Sequence, residues 1–199
     1  FPALRTFDPY AGHSWASGTA PFAAGNNQES SSEAVLAWAG VAAWAEARGD
    51  DGLRDTARWL LANEADAAER LWVEPDLTGH PEYSHDIVSL TWGGARQYST
   101  WFSDEPSAKL GIQLIPMSPV QHHLAPDTAE EATALVDRVA EAGGGGSGAL
   151  GDYVLMYGAL AGDEEAQAAW DAAQALPDDA IDDASSRAYL LAWIASVAD

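Results

Sequence analysis

Between Val35 and Ala45 the apolar residues go nearly all the way round a helical wheel: Val35, Leu36, Trp38, Val41, Trp44 and the alanines between them. A surface helix carries one apolar stripe, whereas a helix that is apolar all round asks for neighbours on several sides. This run predicts a first helix from Glu29 or Ser30 to Arg48, closed by Gly49 and Asp50. A second helix follows over residues 53–72, where Leu53, Ala57, Leu60, Leu61, Ala65 and Ala68 recur at helical spacing until Pro75 stops it. With only a short Gly-Asp-Asp turn between them, the two make an antiparallel helical hairpin.

Helical patterns return over residues 128–142, capped by Asp127 or Thr128, and over 150–160, 164–176 and 185–197. The expected fold class is therefore all-α, six helices with no convincing β domain. Two stretches break the pattern. Residues 1–28 have no period, and residues 74–126 are rich in aromatics, glycine and proline. Within the second, residues 86–92 fit a short strand or the start of a helix, and residues 98–119 read as a long loop. Long structured loops in a compact domain tend to carry function. Residues 143–148, a Gly-Ser hexamer, read as a flexible break, either a native loop or a linker-like insert.

Composition narrows the class of partner. The 199 residues hold 31 acidic and 9 basic side chains, a net charge of −22. Such a chain repels nucleic acid and anionic membrane and favours neutral or cationic partners. No apolar run reaches the length of a membrane span, about 18 residues. There is no cysteine, so disulfide and thiol chemistry are excluded. Nine tryptophans suit a helix-packed core or platforms for flat ligands such as sugar rings. No nucleotide loop, dinucleotide fingerprint, zinc pattern or Gly-x-Ser-x-Gly elbow occurs, and the reading calls for no cofactor and no metal. His122 and His123 are adjacent and diverge, and the Asp178–Asp183 cluster lacks the spacing of a calcium loop. Phe1-Pro2-Ala3-Leu4-Arg5 carries neither an initiator methionine nor a signal peptide and reads as a start in mid-domain.

The chemistry concentrates in Asn26-Asn27-Gln28-Glu29-Ser30-Ser31-Ser32-Glu33-Ala34. On a helix, Glu29 and Glu33 would share one face a turn apart, about 6 Å between Cβ atoms, and would repel each other. Carboxylates set among amides and hydroxyls, close to His13 and Trp15, suit a site that positions water and sugar hydroxyls. A structural reading stands beside it. Ser30-x-x-Glu33 fits a capping box, and Asn26-x-x-Glu29 fits a looser one a turn earlier. Spacing leaves both open.

The same residues carry a resemblance. Residues 7–18, Phe-Asp-Pro-Tyr-Ala-Gly-His-Ser-Trp-Ala-Ser-Gly, followed by Gly25-Asn26-Asn27-Gln28-Glu29-Ser30-Ser31-Ser32-Glu33-Ala34, closely resemble glycoside hydrolase family 81, the endo-β-1,3-glucanases. The likeness continues through Trp92-Gly93, Tyr98-x-x-Trp101-Phe102, Gly111-Ile112-Gln113-Leu114-Ile115-Pro116, Gly151-Asp152-Tyr153, Met156-Tyr157 and Ser186-Arg187-Ala188-Tyr189. It implies a partial (α/α)6 toroid, helical hairpins with long loops at one rim. Residues 1–199 would be the C-terminal part of that catalytic domain, without the family's N-terminal β-sandwich. The implied activity is inverting hydrolysis of internal β-1,3-glucosidic bonds, by a secreted enzyme acting on cell-wall type glucan. Glu29 takes the position of the general base, and Glu33 that of the residue orienting the water or the base. His13, Trp15, Asn27, Gln28 and Gln113 are candidates to contact glucan, although Trp15 also suits a core and Gln113 a loop-bracing role.

The family's general acid lies in a motif of the type Asn-Asp-His-His-Phe-His-Tyr-Gly, and nothing like it occurs in these residues. Asp8 sits in a different motif. The expected partners are therefore β-1,3-glucan and the remaining part of the same enzyme, with this chain inactive by itself. A non-catalytic glucan-binding or structural helical module, or another polysaccharide-degrading enzyme on an α/α toroid, is the alternative. A lyase acting on an acidic polymer would want a basic groove, which −22 opposes.

Overall fold

A computed structural model describes residues 4, 6–17, 20, 22–93, 95–125 and 128–198. Among these residues the protein is mostly helical, with seven α-helices and two small sheets. It divides into two compact units, residues 1–98 with 119–123, and residues 99–118 with 124–199.

In the first unit, strands β1 (Phe7–Asp8) and β2 (His13–Ser14) pair antiparallel, Phe7 opposite Ser14 and Asp8 opposite His13. Asp8 builds the turn between them. Its Oδ1 accepts the N–H groups of Tyr10 (2.9 Å) and Ala11 (3.3 Å), and Gly12, at φ 79°, donates its N–H to the Asp8 carbonyl at 2.8 Å. An aspartate opening the turn and a glycine at its left-handed corner are what such a turn needs. A second sheet has the order β3-β4-β5, from β3 (Asn27–Gln28), β4 (Leu90–Trp92) and β5 (Ala95–Gln97). Residues 86–92 thus end in a strand, not a helix. Pairing on both sides satisfies the β4 backbone, and a three-residue strand is too short to announce itself by alternation.

Helices α1 (Ser31–Arg48) and α2 (Asp51–Ala68) form the expected hairpin. Gly49 takes the left-handed conformation (φ 71°), and the N–H groups of Gly49 and Asp50 close onto the Glu46 and Ala45 carbonyls at 3.0 and 2.9 Å. The Asp50 carboxylate then accepts the Leu53 N–H at 3.0 Å, so the residue after the first stop caps the next start. A π-helical turn, Glu69–Val73, prolongs α2 and buries Trp72. Helix α1 is less enclosed than its sequence asks. Val35, Ala42 and Ala45 are buried, but Trp44 remains 55% exposed.

The second unit contains α3 (Pro106–Gly111), α4 (Ala129–Glu141), α5 (Gly151–Gly158), α6 (Asp163–Ala175) and α7 (Arg187–Val197). Helix α5 is its centre, burying Tyr153, Val154, Met156 and Tyr157 against α3, α4, α6 and α7. Helix α3 lies inside the stretch expected to be loop. Pro106 occupies its first turn, where a missing N–H costs nothing. Thr128 and Glu131 form a reciprocal capping box at α4. Asp127, the alternative cap, lies outside the described residues.

Residues 143–148 are not a loose break. A Cβ on Gly144 would lie 2.6 Å from the Ser107 backbone nitrogen, and one on Gly148 would lie 2.5 Å from the Ser107 Oγ. The run is folded against the start of α3, and Gly144 donates its N–H to the Val139 carbonyl at 2.9 Å. No helix among the described residues is long and apolar enough to cross a membrane.

Candidate functional site

The site residues of the first unit are placed by two β segments and the start of α1. Ser14 ties the β1–β2 hairpin to the helices. Its N–H donates to Glu64 Oε1 at 2.7 Å and its hydroxyl to Glu64 Oε2 at 2.9 Å, and Trp38 Nε1 of α1 reaches the same Oε2 at 3.1 Å. Glu64 is 1% exposed, so this carboxylate exchanges water for three protein donors. Phe7 packs edge-on to Trp38 and Trp59, with ring centroids 6.5 and 5.7 Å away.

His13 is 5% exposed, its ring edge-on to Trp15 at 4.5 Å and to Trp72 at 4.9 Å. Its Nδ1 lies 2.9 Å from the Ser14 carbonyl oxygen. His13 thus sits mostly inside the protein, with Trp15 half-buried beside it. Trp15 Nε1 donates to Asp8 Oδ2 at 3.2 Å. That indole bond, followed by the Tyr10 N–H, holds the Asp8 carboxyl below the usual carboxylate range. Asp8 is therefore suited to stay ionised and poorly suited to deliver a proton.

From Trp15 the chain crosses to the second sheet, where the Ala16 N–H donates to the Asn27 carbonyl at 2.8 Å. Asn27 and Gln28 are buried in β3, opposite Trp92 and Thr91, and Gly93 N–H closes onto the Asn26 carbonyl at 2.9 Å. Gln28 Nε2 donates to the Ser30 carbonyl at 2.9 Å. This pairing keeps the chain extended through Gln28, and α1 begins only at Ser31. Glu29 therefore lies outside the helix, in a two-residue link, and the one-face geometry expected for Glu29 and Glu33 does not apply. Glu29 is half-buried and Glu33, in the first turn of α1, is exposed. The capping box suggested by Ser30 and Glu33 is not formed. Ser30 makes no side-chain capping bond, and its Oγ is buried without a partner.

Gln113 belongs to the second unit, fully buried in the turn after α3, with its N–H on the Leu110 carbonyl at 2.9 Å. Asp152, in the same unit, was not singled out from sequence as a site residue. It is fully buried in the first turn of α5, its Oδ2 accepts the Asp182 N–H at 3.3 Å, and its Oδ1 has no partner. Burial pushes its carboxyl upward, toward the neutral form. Glu64 was missed as well. Its signal is a glutamate standing among the buried positions of α2, with Ala57, Leu60, Ala67 and Ala68.

The family model described as "Glycosyl hydrolase family 81 C-terminal domain" matches residues 1–192. Among curated proteins, a glucan endo-1,3-beta-D-glucosidase of Acetivibrio thermocellus is 36% identical over 199 residues, covering 99% of this chain and 25% of its own length. One from Thermobifida fusca is 35% identical over 200 residues, covering 100% and 26%. Among solved structures, a glutamate-to-alanine mutant of a glycoside hydrolase family 81 protein from Clostridium thermocellum superposes with a TM-score of 0.84 at 34% identity. That match covers 99% of this chain and 27% of the other. The chain thus spans about a quarter of the length of the relatives it matches.

Proposed function

The chain belongs to glycosyl hydrolase family 81, through the family's C-terminal domain, and we propose that it supplies the base side of an enzyme that hydrolyses internal β-1,3-glucosidic bonds with inversion. The observation that carries this reading is the start of α1. Glu29 stands in a short link spanned by the Gln28 Nε2 bond to the Ser30 carbonyl, and Glu33 is exposed in the first turn of α1 with no capping box to occupy it.

In inverting hydrolysis a water oxygen bonds to the anomeric carbon as the bond from that carbon to the leaving oxygen breaks. A base takes the water's proton, and an acid, roughly 6.5–9.5 Å across the site, gives one to the leaving oxygen. Glu29 is the base in this reading, and Glu33 orients the water or the base. Neither other carboxyl described above fits the acid. Asp8 is biased toward its ionised form, and Asp152 is fully buried in the first turn of α5. We assign the acid to a part of the enzyme outside residues 1–199, which agrees with the quarter of the relatives' length that this chain spans. The paired helices then belong to a partial (α/α)6 toroid. Trp15 offers a ring to glucan and His13, edge-on to it, supports that ring, whereas Gln113, fully buried in the turn after α3, keeps the loop-bracing role. A neutral glucan also suits a chain of net charge −22.

In the full-length enzyme, Glu29→Gln lowers kcat by about 10²–10⁴-fold, the usual worth of a general base, while laminari-oligosaccharides still bind. Near-normal turnover would remove Glu29 from the role. Glu33→Gln lowers kcat severely as well, and a loss confined to thermal stability would return Glu33 to a purely structural place at the helix end.

A further inference from the structure

The first unit holds a polar depression whose lining residues do not include Glu29 or Glu33. Leu77, His80, Glu82, Tyr83 and Arg96 line a cavity of about 220 Å³. That is smaller than the usual pocket for a drug-sized ligand, roughly 300–1,000 Å³, and suits a single ring.

Its walls are built. Two successive turns, His80 N–H to the Leu77 carbonyl (2.8 Å) and Tyr83 N–H to the His80 carbonyl (2.9 Å), set the loop side. Tyr83 is pinned by its hydroxyl, which donates to the Ile87 carbonyl at 2.9 Å, and burial pushes this phenol up to about 12, so it stays neutral. Strand β5 sets the other side, with Arg96 opposite Thr91 of β4. Asp76, close enough to feel the Arg96 charge, already accepts from the Thr78 N–H (3.0 Å) and hydroxyl (2.7 Å).

Arg96 is the unusual member. Arg54, Arg58, Arg70 and Arg187 each hold a carboxylate. Among the described residues Arg96 forms no ion pair, and its Nη1 is shut off from solvent with no hydrogen-bond partner. A buried donor without an acceptor is costly, so such a group persists most readily where an acceptor arrives later.

The ligand class follows from the charges that meet there. An anion would answer Arg96 but would face Glu82 and a chain of net charge −22. A cation would answer Glu82 but would face Arg96. A neutral ring bearing adjacent hydroxyls answers both, accepting from the guanidinium and donating to the carboxylate, while Leu77 and the Tyr83 ring cover its C–H face. We propose that this depression binds one pyranose unit of a neutral saccharide, held between Arg96 and Glu82. Only the choice of a glucan-derived ligand for its test rests on the function proposed above.

The test is binding of D-glucose and laminarihexaose to the full-length enzyme, by saturation-transfer NMR and calorimetry, in the wild type, Arg96→Met and Glu82→Gln. The wild type binds, and Arg96→Met weakens binding by about tenfold or more, the worth of a hydrogen bond to a charged group. Glu82→Gln weakens it in the same direction. Should Arg96→Met fold poorly, Glu82→Gln still decides, because that side chain is 76% exposed. Tighter binding of the hexaose than of glucose, lost in the same variants, identifies a unit of the polymer. Equal affinity for the two identifies a free sugar. Affinity that is unchanged in both variants, or inorganic phosphate displacing the sugar, overturns the proposal. Because D-glucose has no glycosidic bond to cleave, its arm of the test is independent of whether Glu29 is the base.

Discussion

Glu64 binds the β1–β2 hairpin to both long helices through three hydrogen bonds inside the protein. Removing it leaves the Ser14 N–H, the Ser14 hydroxyl and Trp38 Nε1 without their acceptor, and each buried unsatisfied group costs about 1–3 kcal/mol. Glu64→Ala therefore destabilises the first unit by about 3 kcal/mol or more, read by hydrogen exchange at Ser14 and along α2. Glu64→Gln keeps one acceptor oxygen and costs less. If Ala and Gln cost the same, the carboxylate is not what holds the hairpin. Sequence made Glu29 and Glu33 visible as a pair because they stand together in a polar cluster. It could not show where the helix starts, since Asn27 and Gln28 are fixed in β3 by Trp92 and Thr91, more than sixty positions away. Glu64 was harder still. Its neighbours in the stripe announce a helix, and nothing local says which distant donors a buried glutamate will meet.

At the scale of elements, the helices were legible because their stripes are long and their ends are marked. Gly49 and Asp50 stop one and start the next, and Thr128 with Glu131 opens α4. The glycine run was not legible, because composition describes a flexible segment and a tightly packed one alike. Its glycines now separate by position. A Cβ on Gly144 meets backbone at Ser107 at 2.6 Å, and one on Gly146 meets the Leu155 side chain at 2.9 Å, whereas Gly145 has nothing within 4 Å. Gly144→Ala should cost about 1–3 kcal/mol, as overpacking does. Gly146→Ala should cost less, because the Leu155 side chain can shift. Gly145→Ala should be neutral or stabilising by about 0.4–1 kcal/mol, through the unfolded chain. Thermal melting of the three variants checks the order, and equal, negligible effects at all three would show the run to be an unconstrained linker.

For the molecule as a whole, two forces of opposite sign act on residues 1–199 when they are produced by themselves. Large aromatic side chains reach solvent in both units, Trp44 and Trp59 in the first, Trp101 and Phe102 in the second, each more than half exposed. Exposed apolar surface of this kind drives association. The net charge of −22 opposes it by mutual repulsion. Repulsion between surfaces is long-ranged only while salt is low, since the Debye length is about 30 Å at 0.01 M and about 8 Å at 0.15 M. The apolar term is not screened in this way. Residues 1–199 alone should therefore stay dispersed at low ionic strength and self-associate as salt rises, seen by light scattering, and should hydrolyse no β-1,3-glucan in either condition. Co-production with the part of the enzyme that carries the acid should restore both dispersion and activity. A 21.0 kDa monomer that melts cooperatively, ignores salt and cleaves β-1,3-glucan unaided would overturn this account. It would also place a working acid among these residues, against the biased ionisation of Asp8 and the burial of Asp152.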